Sequence, residues 1–237
     1  MWSRESLKTD ASITLKNCFG NSILVCLILT VAGNIGNFTV RFNDINFSRL
    51  SLGQLLAITV PMSIASILTI LVKIFLTNPL SVGSSHFFLS SRIRPSRVEQ
   101  VGFCFKSGRY GNVCKTIFMM NLFISLWSLL FVIPGIYKSY QYRMVPYLLA
   151  ENPEMDYRRA LELSTSMMDG EKWNAFVLDL SFIGWYLISI FTCMILAVLY
   201  VTPYQSHTNA GLYILLRTRA IDNGLVNPAE LYAVVNQ

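Results

Sequence analysis

The segment from Leu52 to Leu76 is almost continuously apolar, and Lys73 is its single charged residue. A transmembrane helix needs about 20 predominantly apolar residues, so this segment is long enough to cross a bilayer with some tilt. Pro61 removes one backbone hydrogen bond, a defect that neighbouring helices tolerate inside a membrane. The pair Asn78-Pro79 predicts the end of the helix, and Lys73 lies close enough to that end to reach the interface. This segment therefore predicts a membrane protein.

Further apolar segments define the predicted architecture. Only 14% of the 237 residues are charged and 53% are hydrophobic, which leaves too few charges to cover a soluble globule. We predict an all-α fold class, a polytopic helical membrane bundle with about six transmembrane segments. Residues 1–221 form a single integral membrane domain, and we expect the C-terminal tail of residues 222–237 to be loosely held. The other predicted spans are residues 18–36, 113–133, 136–150, 175–201 and 204–216.

The first predicted span, residues 18–36, also has features of a secretory signal peptide. It follows a basic head, and Thr30-Val31-Ala32 is a weak match to a cleavage site. Because further apolar segments follow it, we favour an uncleaved first helix.

The third and fourth predicted spans lie on either side of Pro134-Gly135. A single helix from Val113 to Ala150 would measure about 57 Å, nearly twice the hydrocarbon core of a bilayer. We therefore predict a hairpin or sharp break at the Pro-Gly pair, after which the chain returns. The alternative is one span whose end projects into water. That arrangement would place the most basic connection of the chain outside, against the positive-inside rule.

That basic connection, residues 80–112, predicts the orientation of the chain. Its five cationic side chains face a single acid, Glu99, and such a cluster is retained in the cytoplasm. Six crossings would put both termini on that side of a bacterial plasma membrane and leave Arg41 and Arg49 in an outside loop. Topology thus accounts for the net charge of +6, and nucleic-acid binding is excluded. The five cations are Arg92, Arg94, Arg97, Lys106 and Arg109.

Residues 156–168 have the pattern of an amphipathic cytoplasmic helix. Asp156 is placed to cap its start, and Gly170 is placed to stop it. An apolar stripe repeats at helical spacing, while Arg158, Arg159 and Glu162 lie off it. We predict that this helix packs on the bundle or the membrane surface and that its stripe binds a partner. The stripe consists of Tyr157, Ala160, Leu161, Ser164 and Met168.

The second half of the chain resembles a known family. The similarity begins with LWSLLFVIPGIYKSY at residues 126–140 and continues through Met144-Val145-Pro146-Tyr147 and Ala150-Glu151-Asn152-Pro153. It includes residues 160–164, Met167-Met168, Gly170, Lys172-Trp173, residues 178–185 and Pro203-Tyr204. These residues resemble bacterial membrane proteins of the domain of unknown function nine-seven-five. More distantly, the layout is similar to the membrane region of some glycerophosphodiester phosphodiesterases, whose catalytic domain is missing here. The resemblance implies a fold and a membrane location, without an activity.

Ionisable residues inside spans form the candidate polar site. Such groups are costly in lipid and are functional hypotheses by default. Arg143 and Asp179 fall at a similar predicted depth, so a buried pair between them is plausible and would spare each charge an unsatisfied burial. The pair either fixes how two helices meet or lines a polar cavity or half-channel. The candidate site comprises Lys138, Arg143, Asp179, Glu151 and His207.

Sequence motifs for chemistry are missing. The two histidines have no metal-ligand spacing, and the chain has neither a nucleotide-binding glycine motif nor a nucleophile elbow. We therefore expect no metal, no cofactor and no catalytic residues. The leading hypothesis is a non-enzymatic accessory, scaffold or immunity-type component, with the lipid bilayer and a membrane transporter complex or a homo-oligomer as partners. The alternative is a small transporter or channel lined by the intramembrane charges. A third hypothesis, an intramembrane lipid enzyme, lacks an identifiable catalytic pair.

Overall fold

The protein is helical throughout the part that the structure describes. The computed structural model describes residues 2–34, 51–94, 96–106, 108, 110–192 and 194–231, except for the side chains of residues 52, 54, 55 and 106. No strand occurs in these ranges, which confirms the all-α fold class. The predicted outside loop with Arg41 and Arg49 lies outside the described residues.

Eleven α-helices make up most of the described chain. They are α1 Arg4–Asn17, α2 Phe19–Asn34, α3 Leu52–Val72, α4 Asn78–Ser90, α5 Phe103–Lys106, α6 Tyr110–Leu130, α7 Val132–Gln141, α8 Val145–Glu151, α9 Tyr157–Met167, α10 Lys172–Phe191 and α11 Thr202–Asp222. Two π-helical turns, Lys73–Thr77 and Ala197–Val201, precede α4 and α11. Short 3₁₀ helices occupy Val98–Gly102 and Pro228–Glu230.

Three helical segments among the described residues are long and apolar enough to cross a membrane: Leu56–Ser90, Tyr110–Leu130 and Lys172–Phe191. A fourth crossing results if α1 and α2, bent by 98° to each other, act as one span. These segments indicate a membrane protein, with three or four candidate spans in the described part of the chain where the sequence predicts about six. The prediction of a span at residues 136–150 is wrong. These residues fall in two separate helices, α7 with 10 residues and α8 with 7, and each is too short to cross a bilayer.

The helix that begins with α3 does not end at Asn78-Pro79, contrary to the sequence prediction. It passes through the π turn Lys73–Thr77 and continues as α4 to Ser90. Pro79 occupies the first turn of α4, where a missing N–H costs least. The π turn changes the hydrogen-bond pattern directly before the proline and so lets the helix continue.

The predicted hairpin between α6 and α7 is confirmed, although its break lies earlier than Pro134-Gly135. Phe131 is extended, with φ −155° and ψ 145°, and α7 then packs back along α6. A Cβ atom on Gly135 would lie 2.1 Å from Ser128 Oγ, so glycine is required where the two helices touch. Pro134 falls within the first turn of α7, where no helical partner exists for its N–H.

A second hairpin divides the predicted span at residues 175–201. Helix α10 ends at Phe191, and Met194 adopts a left-handed conformation with φ 64°. The Met194 N–H donates to the Ser189 carbonyl at 2.9 Å, a helix-ending bond that usually involves glycine. The chain then returns through the π turn into α11, and the Tyr186 hydroxyl meets Gln205 Oε1 at 2.6 Å across the hairpin.

The C-terminal segment is docked as far as residue 231, not loosely held as expected. Val226 and Leu231 are 3% and 1% exposed, and the Asn152 side chain donates to the Glu230 carbonyl at 2.8 Å. Arg159 on α9 forms a forked ion pair with the Glu230 carboxylate, at 2.8 and 3.1 Å. Residues 232–237 of the predicted tail lie outside the described residues.

Replacing Gly83 by alanine is expected to destabilise the protein by about 1–3 kcal/mol, the usual cost of overpacking. A Cβ atom at this position in α4 would lie 1.9 Å from the Val101 carbonyl oxygen, and backbone atoms cannot rotate away. Unfolding by dodecyl sulfate in mixed micelles would measure the loss. Gly20→Ala is the matched control, because a Cβ atom added to Gly20 would meet no atom within 4 Å. Equal stability of the two variants would contradict the close approach of α4 to residues 98–102.

Candidate functional site

The candidate site is built around Arg143, which sits in the short turn between α7 and α8. Helix α9 holds this turn in place through Ser164, whose hydroxyl donates to the Gln141 carbonyl at 2.9 Å and accepts from the Met144 N–H at 3.2 Å. Both Met144 and Ser164 are completely buried. The conformation of the turn, and thus the direction of the arginine, is therefore fixed by the interior of the protein.

The predicted pair between Arg143 and Asp179 is present. The guanidinium makes a bidentate contact with the carboxylate of α10, at 2.6 and 2.7 Å. Asp179 also accepts from the Tyr140 hydroxyl at 2.9 Å and from Gln205 Nε2 at 3.1 Å. A further bond runs from Arg143 Nη2 to Asn209 Oδ1 at 2.7 Å. The network thus joins the α7–α8 turn to both legs of the second hairpin.

The hydrogen bonding of this cluster favours a structural role. Both carboxylate oxygens of Asp179 are occupied, and a fully satisfied pair is the arrangement in which buried charges cost least. The two side chains keep 14% and 25% of their surface exposed for Arg143 and Asp179 respectively. The cluster can therefore lock three chain segments together, while part of the Asp179 side chain stays exposed.

Lys138 does not join the Arg143–Asp179 cluster. Its ammonium group lies 5.5 Å from the ring centres of both Trp127 and Tyr142. Cation–π contacts of this length stabilise a charge by about 0.5–1 kcal/mol at exposed sites. The prediction that Lys138 belongs to the same polar site as Asp179 is therefore wrong.

Glu151 belongs to a separate, fully buried ion pair. Arg217 Nε donates to its Oε2 atom at 2.9 Å, and the two side chains are 0% and 6% exposed for Glu151 and Arg217. Burial raises the pKa of Glu151, and the Arg217 guanidinium opposes this shift. Within the described residues, Glu151 Oε1 and Arg217 Nη2 have no hydrogen-bond partner. The pair connects the end of α8 to α11, away from Asp179.

His207 also lies apart from the cluster, in a buried pocket where α1, α2, α4 and α11 meet. Its Nε2 atom is 2.9 Å from the Ser22 hydroxyl and 3.7 Å from Cys18 Sγ, and its ring packs edge-on against Phe88. The Arg92 guanidinium donates to the His207 backbone carbonyl at 2.8 Å. The imidazole is completely enclosed, so this arrangement joins helices and offers no access to a substrate.

Sequence reasoning missed a polar junction around Glu171, directly before α10. Its carboxylate accepts from Arg219 at 2.5 Å, from the Trp2 indole at 3.0 Å and from Asn174 at 2.8 Å. These bonds join the N-terminus, α10 and the end of α11. The sequence separations of 169 and 48 residues left no local pattern that could have revealed it. Tyr140 was also missed as a member of the candidate site. Gln205 and Asn209 belong to the polar run at residues 205–209 of the last predicted helix, whose polar side is an expected lining of the polar site.

The predicted partner-binding stripe of α9 faces the interior of this chain. Ala160, Ser164 and Met168 are completely buried, Leu161 is 8% exposed, and Tyr157 packs against the edge of the core. The stripe packs against α6, α8 and α11. The amphipathic pattern correctly predicts a helix with one buried face, but the assignment of that face to a partner is wrong. The residues that cover it belong to the same molecule.

The docking of Glu230 on Arg159 is expected to weaken as the pH falls. The Arg159 guanidinium holds the pKa of Glu230 below its usual value, so its contribution to stability is present above about pH 4.3 and is lost as the pH falls through the lowered pKa. Because both side chains are partly exposed, we expect the pair to contribute about 0.2–1 kcal/mol. The difference in unfolding free energy between the wild type and Glu230→Gln should shrink from about pH 7 to about pH 3. A pH-independent difference would contradict this.

Metal binding has no support among the described residues, where no group of three His, Cys, Asp or Glu side chains could hold an ion.

Comparison with known proteins agrees with one resemblance noted in the sequence, that to the domain of unknown function nine-seven-five. The chain matches no curated protein and no solved structure. Residues 129–220, which contain the Arg143–Asp179 cluster, the Glu151–Arg217 pair and all of α7 to α10, match the family described as "Protein of unknown function (DUF975)".

Proposed function

We propose that this chain is a non-enzymatic, multi-pass protein of the bacterial plasma membrane, with a cytoplasmic N-terminus. In this proposal it serves as an accessory, scaffold or immunity-type component of a membrane complex, and one of its apolar helices binds the partner. The observation that carries the proposal is the exposed surface of α3. The polar clusters support it indirectly, because the charges of Arg143, Asp179, Glu151 and Arg217 are paired with one another.

Helix α3 has 21 residues and packs, within the described part of the chain, mainly against its own continuation at residues 73–77. Several of its large side chains are exposed: Leu56 52%, Val60 50%, Ile64 60%, Ile67 58% and Leu68 61%. None of the described side chains on any side of the helix is buried. A helix that is apolar on all sides requires lipid or protein around it. The other described residues of this chain supply little of that cover.

One side of α3 suits close contact with another transmembrane helix. Ala57, Ala65 and Thr69 recur at multiples of four residues, with Pro61 between them. Small residues at this spacing let two helix backbones approach closely in a membrane, where packing rather than the hydrophobic effect drives association. The partner we propose is therefore an apolar transmembrane helix of a different protein.

The test compares two double variants with equal numbers of substitutions. Ala57→Ile with Ala65→Ile fills the small-residue side, and Ser63→Ile with Ser66→Ile fills the opposite side. Tagged protein would be purified gently from its native host, and co-purifying chains would be identified and counted by mass spectrometry. We expect a stoichiometric partner that the first variant loses and the second retains. A partner retained by both variants, a second copy of this chain in its place, or a lone protein would refute the proposal.

A small transporter or channel is the second candidate, and the partial exposure of Asp179 favours it. One quarter of this side chain remains accessible beside Arg143, as a pathway lined by intramembrane charge requires. Flux would be measured in liposomes containing the purified protein. This candidate predicts transport that Asp179→Asn abolishes while the unfolding profile in detergent stays cooperative. Liposomes that show no ion or solute flux above protein-free controls would exclude it.

A further inference from the structure

The start of α1 and the start of α10 enclose a cavity of about 750 Å³. Arg4 and Lys8 provide two cationic groups, and Glu5 provides one carboxylate. The remaining lining is mixed: three polar side chains, two indole rings and one valine. It consists of Trp2, Ser3, Trp173, Asn174, Val177 and Ser181.

The cavity is suited to an anion. Ser3 caps α1, and Trp173 and Asn174 lie in the first turn of α10, so two helices begin at its wall. Helix N-termini carry partial positive charge and favour anionic groups. Lys8 Nζ lies 3.4 Å from the Ser181 carbonyl and 4.4 Å from the Phe182 ring centre. A carbonyl and an aromatic face are weaker partners for an ammonium than a phosphate is, so an anion would improve its environment.

A second depression adjoins the cavity through Trp173, which lines both. This groove of about 370 Å³ lies between α7 and α10, and its walls are almost wholly apolar. Lys172 stands at its rim with its ammonium 4.8 Å from the Tyr137 ring centre. The groove is otherwise lined by Ile133, Ile136, Tyr140 and Phe176. A cationic cavity and an apolar groove thus lie on two sides of one exposed indole, a group that prefers the level of lipid headgroups.

We propose that the cavity and the groove together bind one anionic glycerophospholipid. Arg4 and Lys8 bind its phosphate, and one acyl chain lies in the groove along Ile136 and Phe176. Trp173 marks the boundary between headgroup and chain. The site lies beside Tyr140, a donor to Asp179, so a bound lipid would also cover one side of the Arg143–Asp179 cluster.

The test measures phosphatidylglycerol binding to the full-length protein in detergent by native mass spectrometry, with phosphatidylcholine of the same chain length for comparison. Arg4→Gln with Lys8→Gln is expected to weaken phosphatidylglycerol binding about tenfold or more, since each basic residue contributes about 1 kcal/mol to an anionic lipid contact. The matched control is Lys16→Gln with Arg97→Gln, which removes the same charge from exposed positions outside the cavity. We expect the control to bind like the wild type. Equal loss in both variants, or loss in neither, would overturn the proposal.

The groove is tested separately with Ile136→Trp, which fills it and leaves both cations in place. We expect weaker binding of phosphatidylglycerol, and circular dichroism would establish that each variant is folded. Unchanged binding by Ile136→Trp would show that no acyl chain occupies the groove. Full displacement of the lipid by millimolar inorganic phosphate would assign the cavity to a free anion. Either result would contradict a phospholipid site.

Discussion

Replacing Asp179 by leucine alone is expected to lower the free energy of unfolding by about 1.5–3 kcal/mol, the usual contribution of hydrogen bonds to charged groups, because this ion pair is only partly buried. The change would leave the Arg143 guanidinium with Asn209 as its remaining hydrogen-bonded side chain and would remove the acceptor for Tyr140 and Gln205. Unsatisfied polar groups in a low-dielectric environment cost more than the original bonds contribute. Unfolding by dodecyl sulfate in mixed micelles measures the loss.

The paired change Arg143→Met with Asp179→Leu should restore much of that stability. Both charges leave together, so no uncompensated charge remains, and we expect the two single losses to exceed the double loss by about 2 kcal/mol. Arg158→Met on the exposed side of α9 is the control and should change stability by less than about 0.5 kcal/mol. Strict additivity of the two single changes would contradict direct coupling. A double variant that folds but fails to restore the phenotype of cells that lack this protein would show that the cluster has a function beyond holding helices together.

The Arg143–Asp179 pair was predictable because an unpaired charge is energetically unfavourable in lipid. In an otherwise apolar segment, each ionisable group needs a partner at its own depth, and few such partners exist in this chain. The helical pattern of α9 was predictable for a similar reason, since an apolar stripe at 3.6-residue spacing demands a buried side. The periodicity does not indicate whether helices of the same chain or a partner protein pack against that side. Here the cover is α6, α8 and α11 of the same chain, which the sequence alone does not indicate.

The positions at which helices end within the apolar segments were less predictable. Residues 175–201 are apolar on both sides of Met194, and a left-handed methionine gives no signal of the kind that glycine or proline provides. The same holds for the extended Phe131, whose position was misassigned to the nearby Pro-Gly pair. Conversely, Pro79 was given too much weight, because a π turn before it lets the helix continue. Long apolar runs establish membrane insertion but do not distinguish one long span from two shorter legs.

Replacing Glu151 by leucine is expected to be at least as damaging as the change at Asp179, with a loss of about 3–5 kcal/mol. Arg217 is 6% exposed, and its charge would be left in the interior near Tyr213, whose ring stacks on that of Tyr147 at 5.3 Å. Glu151→Gln should cost less than half as much, because its amide oxygen can still accept from Arg217 Nε. Thermal unfolding of both variants in the same detergent would measure the difference, and equal losses would contradict a role for this hydrogen bond.

The pH dependence of the Glu151–Arg217 pair gives a second, independent test. The contribution of Glu151 to stability is expected to change with pH in the direction opposite to that of Glu230. Burial raises the pKa of Glu151 in the folded state, so the folded protein binds this proton more tightly than the unfolded chain does. Wild-type stability should therefore increase relative to Glu151→Gln as the pH falls through the raised pKa toward the unfolded value near about 4.3. The difference in stability between the wild type and Glu230→Gln is instead expected to shrink as the pH falls. If both differences moved in the same direction, Glu151 would ionise more readily in the folded protein than in the unfolded chain, and α8 and α11 would be held together by an ordinary salt bridge.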